Sequence, residues 1–319
     1  MENFRLRVFR AVAHRLNFRM AAEELLLTQS AVTQQIKALE SELDVPLFDR
    51  AGGRVSLTPA GVALLPFAER LAALSEEARE AVAATAGGSA GRLALGASQT
   101  IGQYLLPKLI AGYLQENPKV EISVLGGNTQ TILEALVEHK VQLCLIEGPA
   151  MRRDVQVEPF MQDHMVCVVP AGHEWADEEI DVKELQQAKL VTRELGSGSR
   201  RIVEQAFEKA GLDLKKLRLI MTFDSTEGLL SAVEAGLGIA FVSRWAVRNQ
   251  LALGTLKLAR VRGLDLARMF SLATVAGPEP AGLTRSFHRF VLERAEQLAP
   301  RATGKAAGRD GSAERRSGS

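Results

Sequence analysis

Cysteine is scarce: 319 residues hold two, Cys144 and Cys167. Both fall in apolar, strand-like runs (VQLCLIE and HMVCVVP), where a thiol packs as a small core side chain. No disulfide framework is expected. The five histidines, His14, His139, His164, His173 and His288, are scattered, so no metal-ligand spacing arises and no metal site is expected. No apolar run reaches the roughly 18 residues of a membrane span. The opening MENFRLRVFRAVAHR lacks the apolar stretch of a secretory leader. The chain is therefore expected in the cytoplasm, with no membrane partner. No Ser/His/Asp arrangement and no phosphate-cradling GxxxxGK[ST] appears, so neither an enzyme nor a cofactor is expected. An excess of charge of one sign is also lacking. The formal net charge is +1. Even the first 60 residues set Arg5, Arg7, Arg10, Arg15, Arg19, Lys37, Arg50 and Arg54 against seven acids. Bulk charge announces no nucleic-acid partner, so the placement of charges must carry any such reading.

What is present suffices for packed domains. With 46% hydrophobic and 24% charged residues, disorder is not the default. The length fits two to three domains of about 150 residues. A first helix is expected over 4–14, with Leu6, Phe9 and Ala13 on one side. A second, over 18–26, turns Ala21, Ala22 and Leu25 inward. After a break at Leu27-Thr28, Thr28 is placed to cap a third helix over 29–43. On that helix Val32, Ile36, Leu39 and Leu43 share one narrow face, and Ser30, Thr33, Gln34 and Lys37 lie opposite. Short polar groups near a helix start suit a recognition helix in the major groove, where side chains read base edges and free amides meet phosphates. Gln29, Ser30, Thr33, Gln34 and Lys37 are the candidates for DNA contact. Val45-Pro46-Leu47-Phe48 should pack back on the core. Residues 49–57 read as a tight hairpin turning at Gly52-Gly53, with Arg50 and Arg54 flanking the turn, a wing that reaches backbone or minor groove.

The stretch 21–61, AAEELLLTQSAVTQQIKALESELDVPLFDRAGGRVSLTPAG, resembles the DNA-binding signature of the LysR-type transcriptional regulators. The resemblance implies a winged helix-turn-helix in a homo-oligomer, dimer or tetramer. Two positions depart from the pattern. Asp44 stands where Gly commonly closes the recognition helix, and Asp tolerates the left-handed backbone. Arg19 stands where Ser or Thr commonly begins the second helix, which should weaken its cap.

Thr58 as cap and Pro59 at the first helical position open a long helix to about 85. Leu64, Ala68, Leu71, Ser75, Ala78 and Val82 recur at spacings of four and three, a seam suited to a partner helix. Two-fold pairing of winged domains would call for a pseudo-palindromic site on double-stranded DNA. A hinge is expected over 87–91.

From Arg92 the pattern becomes alternating strand and helix. Strands are expected over 93–97, 120–125, 142–146, 165–169, 190–193, 218–221, 239–242 and 270–275, with helices over 105–115, 132–139, 201–210 and 228–235. Such alternation argues for parallel sheets in an α/β fold. The length favours two lobes, with crossovers near 160 and 267. In such folds ligands sit at strand C-terminal ends beside helix starts. Three junctions are rich in hydroxyls and amides: Ser98-Gln99-Thr100; Asn128-Thr129 after Gly126-Gly127; and 194–200, with Thr192 on the strand before it and Ser197, Ser199 and Arg200 within it. Together they suit a small anionic metabolite. Asp224-Ser225-Thr226-Glu227 reads as a capping box with Asp224 capping and Glu227 at the third position, leaving Thr226 free to face the cleft.

Residues 97–102, 193–200 and 233–240 also resemble the effector module of the same family, a two-lobed fold like the periplasmic binding proteins. They are most similar to the branch that includes regulators of carbon dioxide fixation and sulfur assimilation. The expected organisation is a winged helix-turn-helix over 1–57, a dimerisation helix and hinge over 58–90, and an effector domain over 91–299. Within it, lobe 1 takes 91–160 and 268–299, and lobe 2 takes 161–267. The small, polar, basic 300–319 is expected to be a disordered tail. The competing reading is a solute-binding protein or enzyme built on the α/β domain.

Overall fold

The computed structural model describes residues 3–50, 54–85, 90–277 and 279–298. Three short helices open the chain, each begun by a side chain that takes a free amide. Asn3 accepts from the Arg5 N–H at the start of α1 (Phe4–Arg15). Asn17 accepts from Arg19 and Met20 at the start of α2 (Phe18–Leu25). Thr28 accepts from Ala31 at the start of α3 (Gln29–Leu43). The cap of α2 is thus Asn17, two residues before Arg19, and the arginine does not weaken it. Asp44 closes α3 at φ 52°, the left-handed conformation. Val8, Phe9, Val12, Ala21, Val32 and Ile36 form the buried centre of this globule, and Leu47 and Phe48 pack onto it. Leu43, expected on the inner face, is 44% exposed because the helix end runs past the edge of the core.

Strand β1 (Phe48–Asp49) pairs antiparallel with β2 (Ser56–Leu57), forming the base of the wing. Its turn glycines, Gly52 and Gly53, lie outside the described residues. Helix α4 (Pro59–Thr85) follows, with the Thr58 hydroxyl accepting from the Gly61 N–H at 3.1 Å. Here the expected partner seam is partly spent on the chain itself. Leu64 and Ala68 pack into the winged-domain core, and Ser75 is buried. The physical reason is position: the first turns of α4 are needed to close the three-helix globule. The large apolar side chains left exposed are Val62, Phe67, Leu71, Leu74 and Val82. Residues 87–89 of the expected hinge and all of the expected tail, 300–319, lie outside the described residues.

The rest is two-lobed. In the first lobe β3 (Gly91–Ser98) pairs in parallel with β4 (Val120–Gly127) and β5 (Leu143–Ile146). Helices α5 (Leu106–Glu116) and α6 (Thr129–Val137) connect them. A π-helical turn, Ile101–Leu105, precedes α5. Strand β6 (Val155–Pro170) then runs through both lobes. Its first part pairs with β12 (Ala267–Val275), and its second with β10 (Ala240–Ser243) and β11 (Leu256–Arg262). The partner changes between His164 and Met165. The second lobe adds β7 (Glu179–Asp181), the parallel pair β8 (Lys189–Arg193) and β9 (Arg218–Phe223), and helices α7 (Gly198–Lys209), α8 (Thr226–Glu234) and α9 (Arg248–Leu253). Helix α10 (Gly282–Leu298) returns to the first lobe and packs on α4 and α5.

Parallel sheets throughout were expected, but the sheet is mixed. Strand β6 is antiparallel to β10, β11 and β12, because a chain that visits a second lobe and comes back crosses the boundary in both directions. Lobe 1 is centred on Leu95, Tyr113, Phe270 and Phe287, with Tyr113 and Phe287 edge to face at 5.0 Å. Phe207 and Phe241 make a similar pair at 5.2 Å in lobe 2. Among the described residues no helix is long and apolar enough to cross a membrane.

Candidate nucleic-acid interface and interlobe cleft

Helix α3 buries Val32, Ile36 and Leu39 and leaves Gln29, Ser30, Gln34 and Lys37 exposed. Thr33 is half-buried and returns its hydroxyl to the Gln29 carbonyl at 2.9 Å. Ser30 shares a 3.0 Å hydroxyl contact with Thr28. A concavity of about 570 Å³ lies between the start of this helix and the wing, lined by Arg19, Gln29, Thr33, Arg50 and Arg54. Arg50 stacks its guanidinium 4.2 Å over the Phe18 ring, which leaves its N–H edge free to meet an anion. A groove bordered by three arginines and a polar helix face fits a sugar–phosphate backbone entering beside the major groove. Glu40 was not singled out from the sequence. Its Oε1 accepts from the Leu47 and Phe48 amides at 2.8 and 3.2 Å and ties the wing base to the recognition helix.

The C-terminal ends of β3, β4 and β5 open toward the second lobe. Ser98, Thr100 and Thr129, expected there, are all buried at that edge. Gln99 bridges the lobes: its Nε2 donates to the Asp224 carbonyl at 2.5 Å, and its Oε1 accepts from the Thr226 N–H at 3.1 Å. Asn128 caps α6, accepting from Thr131, and Ser197 caps α7, accepting from Arg200. Ser199 donates its hydroxyl to Glu147 at 3.0 Å. Thr226 accepts from Arg193 Nη1 at 2.9 Å. Gly148 and Gly198 meet face to face. A Cβ on Gly198 would fall 2.5 Å from the Thr129 hydroxyl, and one on Gly148 would fall 2.6 Å from the Gly198 Cα.

Three expectations are corrected. Arg200 turns from the cleft, donating to Glu204 Oε1 at 2.6 Å and to the Arg193 carbonyl at 3.1 Å. Thr192 is the strand neighbour of Arg193 and points to the opposite face, lining with Arg200 a crevice between α7 and β8–β9. Asp224 does not cap α8; Ser225 does, accepting from Gly228 at 3.1 Å. Glu227, freed from that box, instead accepts a hydrogen bond across the cleft from the Tyr104 hydroxyl on the π turn. Burial first, and then this carboxylate, raise the Tyr104 phenol above its ordinary range.

The sequence reading missed the charged floor of the cleft. Arg268 on β12 donates to Asp163 on β6 at 2.7 Å, to the Ser199 hydroxyl at 2.9 Å and to the Glu147 carbonyl at 3.3 Å. Ser243 donates to the second Asp163 oxygen at 2.9 Å. Glu147, at the end of β5, accepts from Ser199 and from the Thr100 backbone amide at 3.1 Å. Burial holds the Asp163 carboxyl above the usual carboxylate range, against the opposing pull of Arg268 and Ser243; nearby Glu147 pushes the same way as burial. Three buried polar atoms have no hydrogen-bond partner here: Ser98 Oγ, Thr129 Oγ1 and Arg268 Nη2. Such atoms are costly to bury, and a polar ligand satisfies them. The sequence signal was a charge inside an apolar strand, Asp163 in FMQDHMV and Arg268 in ARMFSLATV. Lone charges there are easily taken for solvent-facing positions.

Comparison with known proteins agrees with this architecture. Residues 4–62 match the family described as bacterial regulatory helix-turn-helix protein, lysR family, and residues 86–296 match the LysR substrate binding domain. The probable RuBisCO transcriptional regulator of Cyanophora paradoxa is 33% identical over 291 residues, covering 90% of each chain. Full-length CbnR complexed with its target DNA superposes with a TM-score of 0.66 at 22% identity, over 92% of this chain and 100% of that one. The regulatory domain of Synechocystis PCC6803 CcmR in complex with 2-PG superposes with a TM-score of 0.60 at 23% identity, over 65% of this chain and 99% of that one. The chain belongs to the LysR family, with probable RuBisCO regulators among its relatives: it is a DNA-binding transcriptional regulator that carries an effector-binding domain.

Proposed function

We propose that this regulator works in the cytoplasm as a homo-oligomer on a pseudo-palindromic duplex site, without catalysis, and that a small anionic metabolite seated between its lobes switches it. Helix α3 reads bases through Gln34 and its neighbours, while Arg50 and Arg54 hold the backbone. Self-association is supported by Phe67, Leu71 and Leu74, which border a groove of about 640 Å³ between α4 and the first lobe. That groove is apolar enough to take a helix of a second copy.

One observation carries the effector reading: Ser98 Oγ, Thr129 Oγ1 and Arg268 Nη2 are buried at the cleft floor with unmet hydrogen-bonding capacity. Ser98, Gln99, Thr100, Asn128, Thr129, Ser197, Ser199 and Thr226 surround it. 2-Phosphoglycolate is the first candidate, because the CcmR domain was solved with 2-PG. Interlobe bonds from Gln99, from Tyr104 and from the Gln130 N–H to the Gly196 carbonyl define one lobe arrangement, and an effector that favours it shifts the population. Helix α10, packed on α4, relays the change toward the DNA-binding pair.

The test is a melting-temperature series on the full-length protein with 2-phosphoglycolate, small carboxylates and sugar phosphates. A true effector raises the transition by mass action, and Thr129→Val abolishes the rise. A rise that survives Thr129→Val places the ligand elsewhere, and turnover of any such compound overturns the switch.

A further inference from the structure

The best anion seat in the cleft already holds an anion of the chain's own. The Glu147 carboxylate accepts from the Thr100 amide at the helix start and from the Ser199 hydroxyl, and its Oε2 lies 3.9 Å from Arg268 Nη2. Both Glu147 and Arg268 are almost wholly buried. A free amide, a hydroxyl and a guanidinium converging on two carboxylate oxygens is the donor set that a bound acid would need. The charge count limits what can be added. Arg268 stands against Glu147 and Asp163, so by formal charge this buried group holds two acids against one cation. A further anion beside Glu147 would meet two buried carboxylates facing one cation, which a low-dielectric site disfavours steeply. An anion that replaces Glu147 leaves the balance as it is.

We propose that Glu147 is a resident competitor for the effector: a ligand carboxylate seats on the Thr100 amide, Ser199 and Arg268 by displacing the Glu147 carboxylate one for one. This rests on the cleft reading given above and deepens it. The effector is then a small acid whose seated group is a monoanionic, two-oxygen carboxylate. Glu147 sets the affinity threshold, because each ligand must outcompete a tethered group. Thr100 acts through its backbone, so its side chain is not the determinant. The unpartnered Ser98 and Thr129 hydroxyls receive the uncharged part of the molecule, and a second anionic group, such as the phosphate of 2-phosphoglycolate, lies outside this buried group.

Acetate is the probe. Full-length wild type, E147A and E147Q are melted and titrated with sodium acetate against sodium chloride at equal ionic strength. Acetate should raise the melting temperature of E147A well above the chloride control, with a dissociation constant about tenfold or more below that of wild type. E147Q should also gain over wild type, and it supplies the comparison if E147A fails to fold. Equal acetate effects in wild type and both variants, or none in any, overturn the competition. The double variant E147A/R268M separates the two claims. If acetate binds E147A and the double variant alike, the anion sits outside the cleft, and the cleft reading falls with the proposal. If the double variant loses an acetate effect that wild type and E147A share equally, the cleft reading stands and only the competition is lost.

Discussion

Gln34 and Arg54 face the same DNA but do different work. Gln34 stands on the exposed stripe of α3, whereas Arg54 lies at the wing. Gln34→Ala should cost roughly 1–3 kcal/mol on the specific site and leave random DNA unchanged. Arg54→Ala should weaken both alike and reduce the slope of log K against log salt by about one. Competition binding at several salt concentrations separates the two. Beneath that face Ile36 is fully buried, so Ile36→Ala should lower winged-domain stability by roughly 2–5 kcal/mol in denaturant melts. The thiols carry a different expectation. Burial pushes both Cys144 and Cys167 up to about 12, so at pH 8 neither presents a thiolate. Iodoacetamide should label neither in the native protein and both after unfolding; native labelling would contradict their burial. Asp163 is held above its unfolded value by burial. A raised acid is most stabilising when protonated. That contribution is complete below the unfolded value, about pH 4, and is lost as pH climbs through the folded one. The stability gap between wild type and Asp163→Asn should therefore narrow as pH rises above about 4, as thermal melts across pH would show.

At the scale of elements, spacing and caps spoke clearly where a helix carries its own start signal. Thr28, Thr58, Asn128 and Ser197 each begin the helix that follows them. Helices α6 and α7 start about three residues earlier than apolar periodicity suggested, because the cap fixes the first turn before the first buried residue appears. Strand β6 was half hidden. Its first ten residues, VQVEPFMQDH, contain Pro159 and mixed polarity. The register of β6 against β12 shifts at Phe270/Ser271, where Ser271 meets Pro159. A bulge there tolerates the missing N–H, and no single-strand pattern reveals it. The cleft charges were hidden for a related reason: Asp163 and Arg268 are opposite partners in a pairing that lies 105 positions apart. Close backbone approach was also unreadable. Gly198→Ala would push against Thr129 and Gly148, so the lobes should no longer meet. Its expected result is a folded protein, by circular dichroism, that binds DNA and ignores effector.

At the scale of the molecule, the exposed apolar row on α4 is the part that a single chain leaves unfinished. Leu71→Glu with Leu74→Glu should shift sedimentation toward monomer and sharply reduce affinity for a two-half-site duplex, while a single half-site is held as before. Unchanged sedimentation would assign the dimer to another face. Strand β6 has a different bearing. Because one continuous ribbon is hydrogen-bonded into both lobes, neither can be lifted out as an independent cassette. A hybrid grafting a foreign second lobe onto this scaffold would have to sever β6 between His164 and Met165, where the strand passes without a break from the β12 ladder to the β10 ladder. Sensing specificity in this chain is thus transplanted whole or not at all.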